Sequence, residues 1–227
     1  MPHGITIDYE NNIWVTDVAL HQVMKFKKGN NTPLMVLGKA FLPGKIDKFC
    51  KPTAVAVLPN GDFFVADGYC NARIIKYSKN GEIILEWGRN IFQGEQLGLA
   101  PENYFAIPHA LTLALDLGLV CVADRENGRV QCFNVTTGTF HSQYHSPLIG
   151  DRLFSVAYHA GNGGRLYVVN GPDQFKPPDR VMGFIIDMQT KKVISKISPI
   201  NGSLGNPHDI IVSNDGIEVI IVLRFYA

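Results

Sequence analysis

Ile107-Pro108-His109-Ala110-Leu111-Thr112-Leu113 is one of three copies of a short pattern, in which a Pro-His step precedes an apolar run. The other two copies are Pro2-His3-Gly4-Ile5-Thr6-Ile7-Asp8 and Asn206-Pro207-His208-Asp209-Ile210-Ile211-Val212. Two further copies lack the histidine: Lys51-Pro52-Thr53-Ala54-Val55-Ala56-Val57 and Arg152-Leu153-Phe154-Ser155-Val156-Ala157-Tyr158. Because the runs are rich in β-branched residues, each predicts a buried strand that the chain enters at or near a proline.

The copies recur at intervals of about 50 residues. The equivalent points are Pro2, Pro52, Pro108, Phe154 and Pro207, separated by steps of 50, 56, 46 and 53 residues. A repeat of this length built from short strands is typical of a β-propeller blade. We therefore predict an all-β chain in which residues 1–227 form a single partial propeller domain.

Each repeat contains signals for further strands after the first. In the second repeat, hairpin turns at Asn60-Gly61 and Asn80-Gly81 separate apolar runs, which predicts four antiparallel strands. Segments 38–48 and 171–180 carry no strand pattern and are predicted to be loops. The fifth repeat ends after its second strand, so the chain holds about four and a half blades, whereas closed propellers have about 4–8 whole blades.

Composition excludes two classes of partner. The net charge is +1 and no basic stripe is present, so a nucleic-acid or membrane-surface partner has no electrostatic support. No apolar run approaches the ~20 residues that span a bilayer. No signal peptide is expected either, because Met1-Pro2-His3 already belongs to the first repeat.

The four cysteines are interpreted in pairs. Cys121 and Cys132 flank a turn on two adjacent predicted strands, and a bridge between Cys50 and Cys70 would close another strand pair. The even count suits two disulfides in an oxidising compartment, and four buried thiols in a cytosolic protein are the alternative. Three glycosylation sequons, at Asn30, Asn134 and Asn201, favour secretion.

Histidine occurs at the same position of repeats one, three and five. In a six-bladed ring, alternate blades are 120° apart, so His3, His109 and His208 would converge on the channel lined by the innermost strands. Three imidazoles with an open fourth position match a catalytic zinc site. The alternative is that each histidine caps its strand by hydrogen bonding. His21, His141, His145 and His159 hold no repeated position and are predicted to be surface or packing residues.

A carboxylate offers a second cation site. Asp209 follows the histidine of the fifth repeat, and together with a strand carbonyl such as that of Ile5 it could hold calcium. The alternative is a carboxylate hydrogen-bonded to backbone amides.

Tyr69 and Arg125 lie in equivalent turns after second strands, Asp67-Gly68-Tyr69-Cys70-Asn71 and Asp124-Arg125-Glu126-Asn127-Gly128. Near a metal, the tyrosine is suited to act as a base and the arginine to bind a substrate carboxylate. From spacing alone, the favoured interpretation is that Tyr69 is a packed aromatic residue and that Arg125 is a solvated arginine in a turn.

Several segments resemble a known family. They are Pro2-His3-Gly4-Ile5-Thr6, Trp14-Val15-Thr16-Asp17-Val18-Ala19-Leu20-His21-Gln22, Asp67-Gly68-Tyr69-Cys70-Asn71, Val122-Ala123-Asp124-Arg125-Glu126-Asn127-Gly128-Arg129-Val130-Gln131-Cys132 and Pro207-His208-Asp209-Ile210. Together they resemble peptidyl-α-hydroxyglycine α-amidating lyase, the second catalytic domain of peptidylglycine α-amidating monooxygenase. The second repeat is also similar to NHL repeats.

The resemblance implies a six-bladed NHL-type propeller in the secretory pathway that cleaves peptidyl-α-hydroxyglycine into a peptide amide and glyoxylate. It implies zinc on His3, His109 and His208, and calcium on the Ile5 carbonyl and Asp209. Tyr69 matches the family's catalytic tyrosine and Arg125 an active-site arginine, while the disulfides would be Cys50–Cys70 and Cys121–Cys132. A monooxygenase domain in the parent protein is a further expectation.

The chain also departs from the family pattern. About one and a half blades expected before Pro2 are absent, and Asn206 stands where the family has methionine. We therefore expect weak or no activity from this chain alone. The alternatives are a non-enzymatic NHL-type propeller that binds protein or peptide, and a fragment without an independent fold.

Overall fold

A computed structural model of the chain describes residues 1–91, 99–172, 181–200 and 202–223. It divides the chain into two compact units, residues 1–111 and 112–227. The units are described separately below. The prediction of one domain over residues 1–227 stays a prediction.

The first unit is built from short strands. They are β1 (Pro2–Ile7), β2 (Ile13–Asp17), β3 (Gln22–Phe26), β4 (Pro33–Leu37), β5 (Ala54–Val57), β6 (Phe63–Asp67), β7 (Arg73–Tyr77), β8 (Ile83–Trp87), β9 (Arg89–Asn90), β10 (Tyr104–Phe105) and the start of β11 (Pro108–Ala114).

The second unit continues with strands of similar length. They are β12 (Leu119–Asp124), β13 (Arg129–Asn134), β14 (Phe140–His145), β15 (Leu153–His159), β16 (Arg165–Asn170), β17 (Gly183–Asp187), β18 (Val193–Ile197), β19 (Pro207–Val212) and β20 (Val219–Leu223). Single turns of 3-10 helix cover Leu115–Leu117, Arg125–Asn127 and Gly161–Gly163. Among the described residues, no helix is long and apolar enough to cross a membrane.

The strands form four-stranded sheets in chain order, β1–β4, β5–β8, β11–β14 and β15–β18, and β19 pairs with β20 alone. This is the repeat pattern that the sequence predicts. β1 and β19 begin at Pro2 and Pro207, so the chain enters these strands at the proline, as expected. The parallel pair β9–β10 was not predicted, because two-residue strands leave no periodic signal.

Each unit has its own core of inward-facing strand residues. In the first unit, Trp14, Phe49, Phe63, Val65 and Ile75 pack together, and the Trp14 and Phe63 ring centroids are 4.5 Å apart. In the second unit, the central members are Ala157, Tyr167, Val169 and Ile210. β6, β7 and β12 are buried at every position, so these inner strands contribute side chains from both faces of their sheets to the core.

Both expected disulfides are present. Cys50 is bonded to Cys70, and Cys121 to Cys132. Cys121 and Cys132 are register partners on β12 and β13, and both side chains are completely buried. The pairing predicted from sequence is confirmed, and no free cysteine remains.

Replacing Cys121 and Cys132 together by alanine is expected to lower the free energy of unfolding by about 3 kcal/mol. This is the loop-closure entropy of a cross-link whose cysteines are 11 residues apart. Urea unfolding followed by circular dichroism measures the change. Ser195→Ala, an exposed substitution in the same unit, is the control, and an unchanged unfolding midpoint in the double variant would contradict the expectation.

Asp8 anchors the turn between β1 and β2. It accepts hydrogen bonds from Trp14 Nε1 at 2.9 Å and from the Asn12 backbone N–H at 2.8 Å, and Lys25 Nζ lies 3.3 Å from Oδ2. Burial by itself raises the pKa of this carboxyl, but the hydrogen bonds outweigh burial and leave the pKa below its ordinary value of 3.8. The ionised form is therefore the one that stabilises the fold.

Asp8→Asn is expected to lower the free energy of unfolding by about 1–2 kcal/mol at pH 7. It should also reduce the loss of stability that the wild type shows between pH 7 and pH 3. Since the folded pKa is lowered, the contribution of Asp8 is present above about pH 4 and is lost as the pH falls through the folded value. Urea unfolding at pH 7 and pH 3 checks this, with Asp62→Asn as the control. If Asp8→Asn kept the full wild-type acid slope, the expectation would be contradicted.

Candidate active site

Three of the predicted site residues meet in the first unit. Tyr69 Oη lies 3.1 Å from His3 Nε2 and 3.4 Å from His109 Nε2. The two imidazole centroids are 4.8 Å apart. His109 is buried, whereas His3 and Tyr69 are half-buried. One hydroxyl and two ring nitrogens therefore converge at a place that solvent still reaches.

The backbone brings these side chains together through close contacts between neighbouring repeats. Thr53 donates its hydroxyl proton to Pro108 O at 2.8 Å, and its own carbonyl lies 2.9 Å from His3 Nδ1. A Cβ on Gly68 would lie 2.1 Å from Pro108 O, so only glycine allows this approach. Thr53 belongs to the second repeat, which has no histidine at this position. It thus links the first and third repeats, which carry His3 and His109.

The hydrogen bond to Thr53 determines the tautomer of His3. A carbonyl only accepts, so Nδ1 must be the donor, and in the neutral ring Nε2 then carries the lone pair. A backbone carbonyl on one nitrogen is the usual way to orient the other nitrogen towards a metal. The alternative interpretation was that each histidine caps its strand by a hydrogen bond. His3 makes such a bond with Nδ1 and still presents Nε2 to the site.

Asp67 holds the turn that carries Tyr69. Its carboxylate accepts from the Cys50 backbone N–H at 2.7 Å, Asn71 Nδ2 at 2.7 Å and Arg73 Nε at 2.9 Å. Burial raises the pKa of Asp67, and these donors offset the rise only in part. Because the carboxylate binds both ends of the turn, Tyr69 is presented by a rigid segment.

Arg125 and His208 lie in the second unit, and both contact one aromatic ring. The Arg125 guanidinium carbon is 5.2 Å from the centre of the Phe154 ring, and the His208 ring centroid is 6.2 Å from it. The Arg125 side chain is only 13% exposed and donates to Glu126 at 2.7 Å. Spacing alone favoured a solvated side chain for Arg125, and that prediction is therefore wrong.

Phe154 is a site residue that the sequence reasoning did not single out. Arg152 also stacks on it, at 5.3 Å, and donates to Glu126 at 2.9 Å. The available signal was that Phe154 stands where the other four repeats have proline. Glu126 and Phe154 together hold two guanidinium groups in place, which suits recognition of an anion.

The residues of the expected calcium site lie in different units. Asp209 Oδ1 accepts hydrogen bonds from Ser155 Oγ at 2.5 Å and from the Ile210 backbone N–H at 2.9 Å. The bond from Ile210 fits the alternative interpretation of Asp209, a carboxylate hydrogen-bonded to backbone amides. Ile5 pairs with Val15 in the β1–β2 ladder. The calcium site stays a prediction.

The remaining histidines and the sequons have the settings expected of peripheral residues. His21 is buried and accepts from the Lys51 backbone N–H, while His141 and His145 are exposed. Asn30 is exposed and Asn134 is half-buried, and both side chains accept hydrogen bonds from their own turns. Asn201 lies outside the described residues. Glycosylation stays a prediction at all three positions.

Comparisons with known proteins agree with the repeat pattern. Residues 49–77 and 105–133 match the NHL repeat. The chain is 58% identical to Peptidyl-alpha-hydroxyglycine alpha-amidating lyase 1 of Drosophila melanogaster, over 97% of this chain and 42% of that protein. It is 46% identical to Peptidyl-glycine alpha-amidating monooxygenase A of Xenopus laevis, over 95% of this chain and 23% of that protein.

A solved structure shows the same fold at low sequence identity. Virginiamycin B lyase from Staphylococcus aureus superimposes with a TM-score of 0.65 and 16% identity, over 98% of this chain and 63% of that chain. Together with the NHL matches, this confirms the prediction of an all-β chain of propeller blades.

The chain spans less than half the length of the fly lyase and about a quarter of the frog monooxygenase. Nearly all of it aligns with both. By its sequence and its repeats, this chain belongs to the peptidyl-α-hydroxyglycine α-amidating lyase family, of whose members it spans a part.

Proposed function

We propose that the chain provides the site for cleavage of a peptidyl-α-hydroxyglycine into a peptide amide and glyoxylate. The observation that carries the proposal is the convergence of His3 Nε2 and His109 Nε2 on the Tyr69 hydroxyl. The printed names of the relatives supply the reaction.

The donor set fits zinc. Two imidazoles in one place, one of them oriented by a backbone carbonyl, are typical zinc ligands. His208 would be the third ligand, because it holds the same position of the fifth repeat as His3 and His109 do in theirs. When bound, zinc would supply a Lewis acid for the hydroxyl of the substrate.

Tyr69 would act as the base. In the phenolate form, its oxygen would accept the proton of the substrate hydroxyl as the carbon–oxygen double bond of glyoxylate forms. The carbon–nitrogen bond breaks at the same carbon and its electron pair goes to the amide nitrogen. The phenol of Tyr69 would then return the proton to that nitrogen, which completes the peptide amide and restores the phenolate. Arg125 would bind the substrate carboxylate, since Phe154 and Glu126 already orient its guanidinium.

Calcium would have a structural role. Asp209 and the carbonyl of Ile5 would hold it, as the resemblance to the family implies. We further propose that the chain works in the secretory pathway, because both disulfides need an oxidising compartment. A monooxygenase domain would supply the hydroxylated substrate, as the name of the frog relative suggests.

The test is the metal content of purified chain, measured by mass spectrometry, with His109→Ala as the variant. We expect about one zinc per wild-type chain and none in the variant, because losing one of three ligands opens the site. His141→Ala, at an exposed histidine, is the control and should keep its zinc.

Turnover of α-hydroxyhippurate, measured as glyoxylate release, completes the test. Activity in the wild type that is lost with zinc supports the lyase function. A folded chain that binds no zinc would refute it and would favour a non-enzymatic, peptide-binding propeller. Weak turnover with bound zinc is the outcome expected of a chain that spans only part of its relatives.

A further inference from the structure

A loop of the first unit exposes lysine and large apolar side chains together. We call residues 39–51 the lysine loop; it contains Lys39, Lys45, Lys48 and Lys51 and a single carboxylate, Asp47. The side chains of Phe41, Leu42 and Ile46 are 74%, 47% and 84% exposed. Exposed apolar groups concentrated in one loop are a common mark of a binding surface.

The lysine loop has a fixed conformation although it contains no strand. Arg73 Nη2 donates to Lys45 O and Lys48 O, each at 2.8 Å, and Asn71 Nδ2 donates to Gly44 O at 2.7 Å. Phe49 is buried in the core of the unit. The loop therefore holds its apolar side chains in solvent without needing to become ordered when it binds a ligand.

The same contacts join the lysine loop to the turn that carries Tyr69. Asn71 and Arg73 follow Tyr69 in the chain, and the Cys50–Cys70 disulfide links the loop to the next residue after it. The Cys50 backbone N–H donates to Asp67, and the Tyr69 N–H lies 3.5 Å from Lys51 O. The loop and Tyr69 are thus parts of one rigid segment.

The charge of the lysine loop is not balanced locally. Among the ion pairs of the described residues, none involves Lys39, Lys45, Lys48 or Lys51. Four cations beside exposed Phe41, Leu42 and Ile46 complement a ligand that is acidic and apolar at once.

We infer that the lysine loop binds the peptide portion of the substrate and favours acidic and apolar side chains before the α-hydroxyglycine. The inference rests on the proposed lyase function, because Tyr69 marks where the hydroxyglycine would lie. A peptide chain advances about 3.3 Å per residue, so only a short stretch before the reacting residue is needed to reach a loop bonded to that turn. An anionic membrane surface would also attract lysine and phenylalanine, but it would not explain why the loop is bonded to the turn of Tyr69.

The test is equilibrium binding of two fluorescent pentapeptides, measured by anisotropy on the full chain at low and at physiological salt. Both end in phenylalanyl-glycine, which lacks the α-hydroxyl and cannot be cleaved, and they carry either two glutamates or two lysines before the phenylalanine. We expect the glutamate peptide to bind about three- to tenfold more tightly, with a smaller difference at higher salt.

The variants separate the lysine loop from the net charge of the chain. Lys39→Ser/Lys45→Ser/Lys51→Ser should abolish the preference, whereas Lys27→Ser/Lys28→Ser/Lys79→Ser removes three other exposed lysines of the same unit and should keep it. Ile46→Ser should weaken both peptides equally. Equal binding of the two peptides by wild type, or a preference that survives the loop variant, overturns the inference.

Two further measurements separate peptide binding by the lysine loop from membrane binding and from the lyase function. Sedimentation with vesicles containing phosphatidylserine tests the membrane alternative; vesicle binding that depends on the loop lysines, without a peptide preference, overturns the inference. Turnover of α-hydroxyhippurate, which has no peptide chain, should be unaffected by the loop variant. A peptide preference in a folded chain that binds no zinc would refute the lyase function and leave the peptide-binding surface standing.

Discussion

Tyr69→Phe is expected to lower kcat for α-hydroxyhippurate by about 10²- to 10⁴-fold, the contribution typical of a positioned general base. The substitution removes only the oxygen that lies 3.1 Å from His3 Nε2 and 3.4 Å from His109 Nε2. The ring keeps its place beside both imidazoles, so the zinc content and the urea midpoint should stay close to those of the wild type.

The control for this prediction is Tyr104→Phe, which removes a half-buried phenol from the same unit but away from the histidines. Its kcat should change less than twofold. If Tyr69→Phe retained full turnover with bound zinc, the proton would have to go to another group, and the proposed role of Tyr69 would be wrong. If the variant lost zinc as well, Tyr69 would be a residue that holds the metal site in place.

Arg129→Met is expected to destabilise the second unit by about 3–5 kcal/mol, because it removes the cation that compensates the buried carboxylate of Asp124. Arg129 and Asp124 are both completely buried, and Nε donates to Asp124 Oδ2 at 2.9 Å. Nη1 donates to Gln143 at 2.8 Å. Methionine fills a similar volume, so the loss comes from electrostatics and hydrogen bonding more than from a cavity.

Two comparisons make the prediction specific. Arg152→Met breaks an ion pair whose arginine side chain is 28% exposed and should cost about 1 kcal/mol or less. The double variant Asp124→Leu/Arg129→Met removes both buried charges and should recover much of the lost stability. Urea unfolding measures all three, and a double variant no more stable than Arg129→Met would show that uncompensated charge is not the cause.

The sequence by itself determined the strands and their grouping. The short apolar runs, the Asn-Gly turns and the recurring Pro-His step are local signals, and they predicted the sheets β1–β4, β5–β8, β11–β14 and β15–β18 closely. The positions of Cys121 and Cys132 on adjacent predicted strands made a bridge plausible, and the resemblance to the family implied it. His3 and His109 were found because the repeat places them at equivalent positions.

What only the tertiary structure decided depends on contacts between residues far apart in the chain and on side-chain rotamers. No sequence pattern shows that Thr53 orients His3, that Phe154 and Glu126 hold Arg125, or that Arg73 joins the lysine loop to the turn of Tyr69. A hydrogen bond depends on distances of a few tenths of an ångström, whereas a repeat specifies only the strand and the face on which a residue lies. The repeat therefore shows which residues can meet, and the packing decides which atoms bind.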